Sequence, residues 1–147
     1  MIVAKRKPMA EIAEMVAPYK SVKVIGCRSC VAICLAGGEK EARTLASALR
    51  LKARKEGRKQ EFEALVVERQ CEKEWVKEVE DKIEDSDLVL SMACSLGAQT
   101  IGDMYPKKLV FPALNTGIFG VPEEQGVWSE KCVGCGNCII HTTGGIC

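Results

Sequence analysis

Four short apolar runs, separated by stretches of helical periodicity, decide what this chain can fold into. VKVIGC (22–27), EALVVE (63–68), DLVLSMA (87–93) and KLVFPALN (108–115) are rich in β-branched and large aliphatic residues and read as buried strands. Between the first two, Ala42, Leu45, Ala46, Leu49 and Ala53 mark the inner stripe of a helix that starts at Glu39 and ends near Gly57. Residues 72–84 form a second helix with Trp75, Val76, Val79 and Ile83 inward, and 95–104 a weaker one containing Gly97 and Gly102. A short helix over 8–17 precedes them, with Pro8 in its first turn and Ile12, Met15 and Val16 on one face. Strands alternating with helices imply right-handed crossovers on a parallel sheet.

The expected fold is therefore α/β, a small Rossmann-like or flavodoxin-like parallel sheet within residues 1–116. Its fourth strand lies at an edge or is ended by Pro112. GIFGVPEEQGVWSEK (117–131) reads as a linker with little helical or strand pattern. The last stretch, CVGCGNCIIHTTGGIC (132–147), has too few apolar residues for a core of its own and is expected to be organised by a metal.

Nine of the 147 residues are cysteine. An odd count, tight clustering and an N-terminus without the apolar stretch of a secretory signal argue against a disulfide framework and for thiolate ligands. With one histidine in the chain, His141, any metal site must be rich in sulfur. Cys132-x2-Cys135-x2-Cys138 is the opening of the bacterial ferredoxin pattern for a four-iron cluster. Gly134 and Gly136 allow backbone amides to approach the sulfides, and Gly144-Gly145 let the chain turn back so that Cys147 supplies the fourth thiolate. Zinc, which also accepts four thiolates, is the alternative at that site.

The second group, Cys27-x2-Cys30-x3-Cys34, sits where the first strand hands over to its helix. Ligands of open α/β sheets collect at the carboxyl ends of the strands. Cys71 lies just past the second strand and Cys94 just past the third, so either can complete a site with Cys27, Cys30 and Cys34. Ser95 and Gly97 leave room for a bulky cluster beside Cys94, whereas Glu72 and Glu74 surround Cys71 with negative charge. Cys94 is accordingly the expected fourth ligand and Cys71 the spare thiol, which makes two [4Fe-4S] clusters.

Other function classes are not indicated. Twenty-one basic and 20 acidic side chains leave a formal net charge of +1, with no footprint for nucleic acid or an anionic membrane. The basic run from Arg50 to Lys59 and the acidic stretch from Glu72 to Asp85 read as solvated helix faces. No apolar stretch is long enough to span a bilayer, and a cytoplasmic location is expected. Gly37-Gly38 could cradle a phosphate, but there is no G-x-G-x-x-G and no P-loop Lys-Ser/Thr pair. Without a Ser/His/Asp set or a paired acid and base, the chain reads as a conductor of electrons. A structural zinc-binding interaction module is the alternative.

VIGCRSCVAICLAGGEKEA (24–42), VERQCE (67–72), PALNTGIFGVPEEQGVW (112–128) and CVGCGNCIIHTTGGIC (132–147) together resemble the iron–sulfur subunit of methylenetetrahydrofolate reductase from anaerobic bacteria. That family is the MetV, or methylenetetrahydrofolate reductase C-terminal domain, family, and the resemblance runs along the whole chain. It implies an electron-transfer subunit that pairs with a flavin-containing barrel subunit, where folate binds and hydride chemistry takes place, with further electron-transfer subunits as additional partners. The reaction implied is reduction of 5,10-methylene- to 5-methyltetrahydrofolate in one-carbon metabolism. Members usually continue past the GGIC block into a further cysteine-containing stretch.

Overall fold

The computed structural model describes residues 1–124 and 127–131. The chain opens with strand β1 (Ile2–Arg6) and helix α1 (Met9–Val16), followed by β2 (Ser21–Cys27), the single turn α2 (Cys30–Ile33) and the long helix α3 (Glu39–Lys55). It continues through β3 (Glu61–Val67), the short helices α4 (Lys73–Lys77) and α5 (Glu80–Glu84), β4 (Leu88–Met92) and α6 (Ser95–Met104). Three strands follow: β5 (Leu109–Pro112), β6 (Leu114–Glu124) and β7 (Val127–Glu130).

The four apolar runs form one parallel sheet in the order β3-β2-β4-β5. From β2 the chain winds outward to β3, then crosses back to β4 on the other side, which is the doubly wound arrangement expected from the sequence. Both faces of the sheet are covered. Val22, Val24, Leu88, Leu90 and Met92 join Leu45, Leu49 and Ile12 in one core cluster under α1 and α3. Ile25, Val67 and Val89 join Val76, Ile83, Ile101 and Tyr105 in the other, under α4 to α6. Strands buried on both faces need apolar side chains at odd and even positions alike, which is why these runs are continuous rather than alternating. Lys23 is a charged exception, half of a bridge to Glu63 on β3 at 2.8 Å, with Lys82 on the far side of that carboxylate at 3.4 Å.

Three expectations are corrected. The segment 117–131 holds most of β6 and all of β7. β6 pairs antiparallel with β1 (Ile2 opposite Phe119) and with β7 (Gly120 opposite Glu130), making a sheet in the order β1-β6-β7. That pairing joins segments more than a hundred residues apart, and glycines and a proline blur its alternation in the sequence. The apolar run 108–115 does give a fourth strand at the sheet edge that ends at Pro112, but its last residues open β6, because at the buried Ala113 the chain changes sheets. The Ala113 amide donates to Ser91 on β4 at 2.8 Å and its carbonyl accepts from Lys7 at 2.9 Å. Finally, the helix expected over 72–84 breaks at Val79, whose φ of −118° and ψ of 17° are not helical.

Candidate metal centre

Parallel strands end together, and here the neighbouring ends of β2, β3 and β4 each lead into a cysteine. Register fixes the levels: Cys27 stands opposite Val67 on β3, and Gly26 opposite Met92 on β4. Cys94 is therefore one residue beyond the level of Cys27 and forms the N-cap of α6, where the Gly97 amide donates to its carbonyl at 3.0 Å. The gap between the loops after β2 and β4 is the topological switch point of the sheet, the usual ligand crevice of such folds.

On the other side the chain leaves β3 and folds back over the end of β2. The Arg28 amide donates to the Val67 carbonyl at 3.1 Å. Gln70, wholly buried, then anchors the loop: its Nε2 donates to the Ile25 carbonyl at 2.6 Å and its Oε1 accepts from Ser91 Oγ at 2.6 Å. A buried amide side chain stabilises only if both ends are bonded, and these two bonds tie β2, β3 and β4 together directly beneath the cysteines. Sequence reasoning passed over this pair. The signal was a serine inside the otherwise apolar LVLSMA.

The first cysteine loop is held just as closely. Gly37 packs on the end of β4 so tightly that a Cβ there would lie 2.0 Å from the Met92 carbonyl oxygen. Its amide donates to Val31 at 3.1 Å and its carbonyl accepts the Cys27 amide at 3.0 Å. The first glycine of the pair thus lets two backbones meet, and its N–H is committed inside the loop.

The thiols differ in setting. Cys27 is buried; Cys30, Cys34 and Cys94 are half-buried; Cys71 is exposed. Burial above all pushes the Cys27 thiol up, and so do the Cys71 and Cys94 thiolates, while the backbone amides of Gln70 and Ser29 directed at its sulfur oppose them. Desolvation and then the Cys94 thiolate push Cys71 up, with Glu72 and Cys30 adding to it. Cys34 is also raised, chiefly by desolvation, but among the thiols it answers to Cys30, and its sulfur is engaged by β1. It donates to the Ile2 carbonyl at 3.7 Å, and the Ala4 backbone hydrogen-bonds to it. The carboxylate of Glu72 accepts from Arg69 at 2.7 Å and from Trp75 Nε1 at 3.1 Å.

All five of these cysteines thus lie at the ends of β2, β3 and β4 or in the segments that follow them, at the carboxyl end of the parallel sheet. Among the described residues no three His, Cys, Asp or Glu side chains are grouped closely enough to hold a single metal ion. Cys132, Cys135, Cys138 and Cys147 lie outside the described residues. Residues 111–147 match a family model described as methylene-tetrahydrofolate reductase C terminal. The match takes in the end of β5, β6, β7 and the cysteine-rich stretch, and relates that part of the chain to methylenetetrahydrofolate reductases. No curated protein and no solved structure matches the chain. Among the described residues no helix is long and apolar enough to cross a membrane.

Proposed function

We propose that this chain is an iron–sulfur electron-transfer subunit of a 5,10-methylenetetrahydrofolate reductase, passing electrons to or from a separate flavin-containing catalytic subunit. The observation that carries the reading is the arrival of three adjacent strand ends, each followed by a cysteine, at the switch point of a chain whose residues 111–147 match the reductase model.

Four thiolates suit a four-iron cluster or a zinc ion alike, and the ferredoxin-type spacing Cys132-x2-Cys135-x2-Cys138 favours the cluster. Amides directed at a buried cysteine sulfur, as at Cys27, stabilise the thiolate form that iron requires and tune the potential of what it binds. A cluster bound there supplies one-electron transfer. The chain's own residues hold the thiols in register, exclude water from Cys27 and leave Cys71 at the surface. In this reading the second cluster belongs to Cys132, Cys135, Cys138 and Cys147.

Electron transfer to a flavoprotein tests the reading. Co-expressed with a flavin-containing methylenetetrahydrofolate reductase subunit, the chain is expected to co-purify with it anaerobically. After reduction, the chain is expected to bleach that flavin in stopped-flow mixing. A colourless chain with stoichiometric zinc, bound to the same partner but unable to reduce its flavin, would instead establish a structural module.

A further inference from the structure

We infer that the thiols acting together at the carboxyl rim are Cys27, Cys30, Cys71 and Cys94, and that Cys34 stands outside the set. The inference rests on the cluster-binding reading and goes beyond it by replacing one ligand. Sequence spacing alone favoured Cys34 over Cys71, because C-x2-C-x3-C looks like a single unit. The fold divides that unit. Cys30 opens the single turn α2 and Cys34 closes it, where the Cys34 sulfur turns to β1 and donates to the Ile2 carbonyl at 3.7 Å. β1 belongs to the antiparallel sheet, not to the parallel one whose strand ends form the rim.

Cys71 moves the other way. The loop that carries it is drawn inward by Gln70, so its preceding residue lies between β2 and β4 rather than out along β3. How close this brings it to Cys94 is measured at Gly97, one turn into α6: a Cβ there would lie 2.7 Å from the Gln70 Cβ and 2.7 Å from the Ala93 Cβ. Residues adjacent to Cys71 and to Cys94 thus converge on one glycine. The Cys27 thiol completes the approach, with its sulfur 3.8 Å from the Glu68 carbonyl of the same loop. The acid nearest Cys71, Glu72, is turned to Arg69 and Trp75, whose hydrogen bonds offset part of its charge.

The experiment uses the full chain purified anaerobically, with Cys34→Ser, Cys71→Ser and Cys94→Ser compared for iron and acid-labile sulfide per chain. Cys71→Ser and Cys94→Ser are each expected to lose one cluster, roughly half the wild-type iron, while Cys34→Ser keeps the full complement. The reverse pattern, loss with Cys34→Ser and retention with Cys71→Ser, would overturn the assignment.

A second measurement needs no variant to fold. Thiol alkylation of the wild type, read by mass spectrometry before and after metal loading, is expected to show protection appearing at Cys71 and none gained at Cys34. Protection gained at Cys34 instead would overturn it. A wild type that binds zinc in place of iron retires the electron-transfer reading, yet the same footprint still decides the ligand set. A wild type that takes up no metal at this rim overturns both.

Discussion

Two buried polar side chains, Gln70 and Ser91, hold the candidate site together at the residue scale. Each is fully buried, and each satisfies the other. Removing the serine hydroxyl strands the Gln70 carbonyl oxygen without a donor, a penalty of about 1–3 kcal/mol for a neutral group. Ser91→Ala is therefore expected to lower stability by that amount in urea unfolding of the metal-free chain. It is also expected to loosen the 68–71 loop, so that Cys71 alkylates faster than in the wild type. Unchanged stability would mean the network is incidental to the rim. The serine inside an apolar run was the one hint in the sequence, and a glutamine before a cysteine looks like any solvent-facing residue until the strands are placed side by side. The cysteines were legible for the opposite reason. Cys27 ends an apolar run and Cys94 follows one closely, and that position is set by the fold class alone.

Among the elements, the parallel sheet was the part the sequence could specify. Its central strands β2 and β4 are buried on both faces, so the apolar signal is strong, and β2 to β4 begin and end within two residues of the runs that announced them. The antiparallel sheet was missed because β1 is a five-residue strand ending in Lys5 and Arg6, and its partner β6 lies more than a hundred residues away. No local pattern reports such a pairing. The direction of Cys34 was lost with it, since that thiol is oriented by β1.

The entry to the sheet carries a prediction of its own. Asp87, just ahead of β4, accepts the Lys20 and Ser21 amides at 2.9 Å each and so pins the start of β4 to the start of β2. Those backbone bonds hold its carboxyl below the ordinary value. A depressed carboxyl contributes stability above its unfolded-state pKa and loses it as pH falls through the folded value. Asp87→Asn in the metal-free chain should thus be less stable than wild type at pH ~7, with the gap closing below pH ~4, the ordinary aspartate range. A gap that persists in acid would place the effect outside the charge.

At the scale of the whole molecule, the two sheets have different tasks. The parallel sheet presents the thiol rim, and the antiparallel sheet carries the chain onward to Lys131, beyond which lie Cys132, Cys135, Cys138 and Cys147. The two tasks meet at β1. β7 is the second strand over from it, about 10 Å at ordinary strand spacing, and Ile2 on β1 takes the bond from Cys34. The central proposal is that this chain carries two iron–sulfur clusters and passes electrons to or from a flavoprotein. Iron and acid-labile sulfide analysis of the anaerobically purified chain, with EPR of the reduced form, tests it most directly. The account predicts about eight irons and eight sulfides per chain and a reduced spectrum integrating to two spins, the content of two four-iron clusters. Stoichiometric zinc with no sulfide, and no EPR signal on reduction, would contradict it.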